Sequence, residues 1–218
     1  MIKRPLFLAL LAPLAAFAFG GWVVVTVDDL PEYLVAGKAV ELPLSVRQHG
    51  VTLLPGLTPM VTLKSGFSET TVRARATGEG GHYVATVTAP RAGDWTMRIH
   101  SGFGKSENTL LPIHVVAAGA AAPLALADAD RGHQLFFAKG CVTCHVRGSE
   151  GGEIKVGPDL TGRRYPPDYV AKFLADPESS PLSKATNNGN RMPKLDLKQR
   201  EIASLVAFLN SEGKLSTR

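Results

Sequence analysis

"KGCVTCHVRG", residues 139–148, holds both cysteines of the 218-residue chain. Cys141 and Cys144 stand three apart, and His145 follows directly. The stretch before them, "DADRGHQLFFAKG", reads as a helix from about 129 to 139, with Asp128 as candidate cap and Gly140 as terminator. A helix therefore delivers the chain into a short turn carrying three side chains of metal and sulfur chemistry.

Four chemistries compete for that turn. A structural disulfide would close a tiny loop and stabilise little, because the benefit grows with loop length. A thioredoxin-like redox pair belongs in a βαβ setting, which the surrounding pattern lacks. A zinc site needs four ligands, and the chain offers these two cysteines, His145 and at most His133. Covalent attachment of a c-type haem uses Cys-x-x-Cys-His directly: each thiol adds to one vinyl group of the porphyrin, and the histidine lies beneath the iron. The last reading explains the spacing as well as the residue types.

Such an iron needs a second axial ligand. The chain has four methionines, Met1, Met60, Met97 and Met192, and only Met192 lies in the same half as the cysteines. It sits in "GNRMPKL", a loop where the following proline stiffens the backbone. A thioether there is a soft ligand for iron. The competing reading is a half-buried surface methionine. His133, twelve residues before His145, is the other candidate and is expected to face solvent.

Around the motif the pattern stays helical. "PPDYVAKFLADP" predicts a short helix with Pro167 in its first turn and Pro177 just past its end. "LDLKQREIASLVAFLNSEG" predicts the longest helix, with Asp196 as cap and Gln199 as its capping-box partner. Ile202, Leu205, Val206 and Leu209 mark one buried face. Three helices in this length make a small core that a prosthetic group would help to fill.

Upstream the period changes to two. In "KAVELPLSVRQ", Val40, Leu42, Leu44 and Val46 alternate with polar residues. Tyr83, Ala85 and Val87 do the same, as do Trp95, Met97 and Ile99, and Leu111, Ile113 and Val115. Gly- and Pro-bearing turns separate these runs. About seven short strands over residues 21–116 imply an all-β immunoglobulin-like sandwich, since each sheet needs a partner for its apolar face. "AAGAAAPLALA", residues 117–127, is an uncharged linker, and residues 128–218 form the second, all-α domain.

Residues 1–18 read as a signal peptide: Lys3 and Arg4, an apolar run from Leu6 to Phe17, and Ala16-Phe17-Ala18 as a cleavage site. The rival is an uncleaved anchor, because no charge occurs from Pro5 to Val27. Either way the folded part is expected in the periplasm or outside the cell. The formal net charge of +5 is mild; beyond Lys3-Arg4, only Arg163-Arg164 form an adjacent basic pair, so nucleic-acid binding gets no support.

"GHQLFFAKGCVTCH", "VGPDLTGR" and "NRMP", followed by an amphipathic helix, resemble class I cytochromes c over roughly 128–212. The resemblance implies one covalent haem c and crossed first and last helices. Gly132, Phe136 and Phe208 would stand at that crossing. It also implies a Pro158 carbonyl that fixes the tautomer of His145, and places Arg163, Arg164 and Tyr165 near the haem. With His145 and Met192 filling both axial positions, it implies electron transfer rather than catalysis, between redox protein partners. A haem enzyme or gas sensor with a labile Met192 is the alternative.

The β-domain resembles exported domains of the YtkA/FixH type through "DLPEYLVAGKAVELPLSVRQHG", "GLTPMV" and "AGDWTMRIH". That implies a link to copper delivery or oxidase assembly, with His49, Met60, Met97 and His100 as soft or borderline ligand types. Their spacing shows no convergent motif. Docking to a membrane complex, or self-association through this domain, is the plainer expectation.

Overall fold

The computed structural model describes residues 21–152, 154, 156–179 and 191–211. The signal segment 1–18 and the C-terminal residues 212–218 lie outside the described residues. Among the described residues, no helix is long and apolar enough to cross a membrane.

The described residues of the first half form eleven short strands: β1 Val23–Val27, β2 Leu34–Val35, β3 Val40–Gln48, β4 Thr52–Leu53, β5 Met60–Ser65, β6 Ser68–Arg73, β7 Arg75–Ala76, β8 His82–Val87, β9 Gly93–His100, β10 Glu107–Thr109 and β11 Ile113–Val116. One sheet runs β1-β3-β8-β7, with β4 also on β3. The other runs β2-β11-β9-β5-β6, with β10 also on β9. All pairings are antiparallel except β2 with β11.

The inward alternation follows the sequence. Leu42, Leu44 and Val46 from one sheet share a single buried core with Val61, Leu63, Trp95, Met97 and Ile99 from the other. Tyr83 is buried in that core, and its hydroxyl donates to Leu54 O (2.6 Å) and accepts from Leu57 N (3.1 Å). The phenol thus satisfies a loop that would otherwise bury unpaired backbone. One expectation fails: Leu110 is buried and Leu111 only half-buried, because the pairing of β11 begins at Ile113. The stretch 117–127 has neither helix nor strand.

Among its described residues the second half has four α-helices: α1 Asp128–Ala138, the single turn α2 Cys141–Cys144, α3 Pro167–Ala175 and α4 Gln199–Asn210. A two-residue ribbon joins β12 (Val146–Arg147) to β13 (Glu150–Gly151). Pro167 opens α3, where its missing N–H costs nothing. The expected caps shift. Ala127, not Asp128, precedes α1, and Asp128 lies in its first turn, where a carboxylate complements the helix dipole. Lys198, not Asp196, precedes α4. Glu201 rather than Gln199 accepts the Lys198 N–H at 2.9 Å, and Asp196 instead takes a left-handed φ of 48°.

Helices α1 and α4 cross at Gly132. A Cβ on Gly132 would collide with the Ser204 carbonyl and with Phe208 Cβ, so the backbones meet where a side chain is missing. Phe136 and Phe208 pack beside the crossing with ring centroids 5.4 Å apart. Of the expected α4 face, Ile202 and Leu205 are buried, while Val206 and Leu209 are half-buried.

The two halves are joined by buried polar contacts at the end of α1. Asn108 Nδ2 donates to Val25 O (3.2 Å) and Phe137 O (2.9 Å). Lys139, 1% exposed, donates to Asp28 O and pairs with Glu201, both at 2.8 Å. Arg131 reaches Leu30 O and Pro31 O. The strand β1 therefore grips the helix that leads into the cysteines.

Candidate functional site

Gly140 has a left-handed φ of 74° and ends α1, its N–H bonded to Phe137 O at 2.9 Å. The next residue is Cys141. The turn α2 places Cys141 and Cys144 one helical step apart, and His145 N–H returns to Cys141 O at 2.9 Å. Both cysteines are free. Both line one cavity, and burial pushes the Cys141 thiol up to about 12 and the Cys144 thiol up to about 11, with Cys144 adding to the shift on Cys141.

His145 is oriented from the far side. Its Nδ1 lies 3.0 Å from the Pro158 carbonyl, which can only accept. Nδ1 therefore carries the proton, and Nε2 keeps its lone pair. Burial lowers the imidazole pKa, opposed by that hydrogen bond, so the ring stays neutral near pH 7. Gly157 makes the approach possible. A Cβ there would lie 2.5 Å from ring atoms of His145, and Gly157 N–H bonds Cys144 O at 2.9 Å.

Met192 is half-buried in the loop before α4 and lines the same cavity. So do Pro158 and Tyr165. Tyr165 N–H is fixed by Asn210 Oδ1 at 2.9 Å. Arg163 and Arg164 are exposed and do not line the cavity; Arg191 does. His133 is not solvent-facing as expected: it pairs with Glu150 at 2.7 Å and stacks on Phe208, with centroids 4.8 Å apart. It also lies off the cavity, which Met192 and His145 both line.

The remaining walls are apolar: Phe136 from α1, Val170, Phe173 and Leu174 from α3, and Leu205 and Leu209 from α4. The α3 contribution was readable as i, i+4 spacing. Trp22, Val24, His49 and Gly50 of the β-domain also line the cavity, and nothing in their sequence spacing announced it.

The donor set suits a covalent haem: two thiols, a neutral imidazole with a free Nε2, a thioether, and apolar walls. A zinc site is poorly served, since among the described residues no three His, Cys, Asp or Glu side chains gather as a metal cluster. The copper-type residues of the β-domain are scattered. Met97 is core and His49 is on the cavity. Met60 and His100 are register partners, but both ring nitrogens of His100 are hydrogen-bonded to loop backbone.

The cytochrome c family model matches residues 129–212. Residues 129–212 form a cytochrome c domain. Such a domain is a haem-based electron-transfer module, and its family implies covalently bound haem c. No curated protein matches the chain. Among solved structures, surface layer protein SbsC domains 1–6 is 26% identical over 45% of this chain and 13% of that one, with a TM-score of 0.34. SbsC domains 4 and 5 give 25% identity, 43% and 44% coverage, and a TM-score of 0.33. The CARDB domain of a Pyrococcus furiosus protein in complex with di-metal ions gives 15% identity, 44% and 93% coverage, and a TM-score of 0.27. The chain thus spans less than half the length of the two S-layer chains. At these TM-scores the three likenesses carry no argument.

Proposed function

We propose that the protein is an exported monohaem electron carrier, or the haem subunit of an electron-transport complex, with His145 and Met192 as axial ligands. One observation carries the reading. Cys141, Cys144, His145 and Met192, brought from two separate stretches of sequence, all line one apolar cavity.

The haem supplies reversible one-electron chemistry when bound. Cys141 and Cys144 are the attachment thiols, and with no other cysteine in the chain a single haem is expected. His145 offers Nε2 because Pro158 holds the proton on Nδ1. Met192 is a soft donor that favours the lower oxidation state and so raises the potential. The apolar side chains of α3 and α4 exclude water, which acts in the same direction. With His145 and Met192 both as ligands, no coordination position would stay open, which favours electron transfer over substrate chemistry. Export is supported by the charge and hydropathy pattern of residues 1–18. The β-domain then offers a surface for a redox partner, a membrane complex or a second copy.

Carbon monoxide titration of the reduced protein tests the ligand set. The spectrum should stay unchanged in the parent and shift in Met192→Ala. Ready binding by the parent would overturn the closed-site reading in favour of a sensor or enzyme.

A further inference from the structure

The cavity has a wall that a lone cytochrome c domain could not provide. Trp22, Val24, His49 and Gly50 come from the start of β1 and the end of β3, more than ninety positions before Cys141. The wall is built rather than grazing. His49 takes a left-handed φ of 51° and donates its N–H to Trp22 O at 3.0 Å. Its ring meets the Trp22 ring edge-on, with centroids 5.6 Å apart. Gly50 follows with a φ of 76°, and its Cα lies against the same wall, where a Cβ would meet Val24 and Trp22 at van der Waals distance. Both positive φ values belong to the turn between β3 and β4, which Val51 N–H closes on Gln48 O at 3.0 Å, so the hairpin itself fixes where the His49 ring sits.

The same wall is registered against the attachment turn. A Cβ on Gly140 would collide with Val24 Cγ1 and approach Val25 O at 2.9 Å, so β1 lies directly against the residue before Cys141. Thr26 Oγ1 donates to Lys139 O at 3.4 Å, and Lys139 Nζ donates to Asp28 O at 2.8 Å. Position of the wall and position of the thiols are therefore fixed by one set of contacts.

We propose that the haem is bound across the domain junction, with the Trp22–His49 pair as a haem-contacting wall that excludes water and sets the potential. This rests on the haem reading of the cavity. An aromatic and an imidazole packed edge to face replace solvent on that side. Removing them admits water, which stabilises the more highly charged ferric state. The β-domain is then part of the redox centre and not merely an appended docking module.

The test uses the full-length matured protein. Trp22→Ala/His49→Ala should keep covalent haem by its alkaline pyridine spectrum, yet show a lowered midpoint potential and an altered Soret circular dichroism. Trp22→Phe/His49→Gln should restore both toward the parent. Haem retained with potential and Soret dichroism unchanged in the alanine variant would overturn the wall and leave the haem reading standing. A parent that carries no haem would overturn both. If the alanine variant does not mature, the unaltered protein answers instead. The assigned ring resonances of Trp22 and His49 should differ between the oxidised and reduced states, and identical positions in both states would refute the proposal.

Discussion

The Lys139–Glu201 pair offers a quantitative test of how the two halves are joined. Lys139 Nζ is 2.8 Å from Glu201 Oε1 and 2.8 Å from Asp28 O, and the lysine side chain is 1% exposed. Glu201 is 10% exposed at its side chain and holds Lys198 N–H with its other oxygen at 2.9 Å. Deleting one member of a buried ion pair leaves the other desolvated and uncompensated, at a cost of about 3–5 kcal/mol. Because Glu201 keeps one backbone donor and a little solvent, Lys139→Met should fall near about 3 kcal/mol. Glu201→Gln, which strands the lysine in contact with a neutral amide, should cost about the same. Replacing both with apolar residues removes the stranded charge. The double variant Lys139→Met/Glu201→Leu should cost only about 1–2 kcal/mol, chiefly the lost bond to Asp28 O and imperfect packing. The singles therefore sum to far more than the double. Urea unfolding followed by the Soret band reads this directly, since both residues lie in the cytochrome c domain. Singles that each cost under about 1 kcal/mol, or a double equal to their sum, would refute the reasoning.

Further outcomes follow from single contacts. Gly132→Ala puts a methyl against the Ser204 carbonyl and should destabilise by about 1–3 kcal/mol in the same unfolding assay. Arg147 stacks 4.1 Å over Phe208 and donates to Phe208 O and Ser211 O at 2.8 Å, so Arg147→Met should cost about 1–2 kcal/mol by loosening the end of α4. Met192→Ala should abolish the weak methionine-to-iron absorption at the red edge of the visible spectrum and lower the midpoint potential; an unchanged spectrum would exclude Met192 as ligand.

Much of the fold was legible because its signals are local. Strand alternation placed Leu42, Leu44 and Val46 inward, and Pro167 and Gly140 marked one helix start and one helix end. Cys-x-x-Cys-His defined half the candidate site by spacing alone, and Met192 followed from being the one thioether in that half of the chain. What escaped was tertiary. The cap of α4 moved from Asp196 to Lys198 because Glu201 is drawn inward by buried Lys139, which no propensity encodes. His133 escapes a local reading because its partner, Glu150, lies on the ribbon beyond the cysteines. Trp22 and His49 reach the cavity only because β1 docks on the end of α1, a contact between stretches more than a hundred residues apart.

The most direct measurement is an acid-acetone extraction of the purified, exported protein, followed by an alkaline pyridine spectrum of the pellet. Two thioether bonds through Cys141 and Cys144 predict that all the pigment stays with the polypeptide and gives a c-type spectrum at one haem per chain. A colourless protein, or pigment recovered in the acetone, would contradict the account.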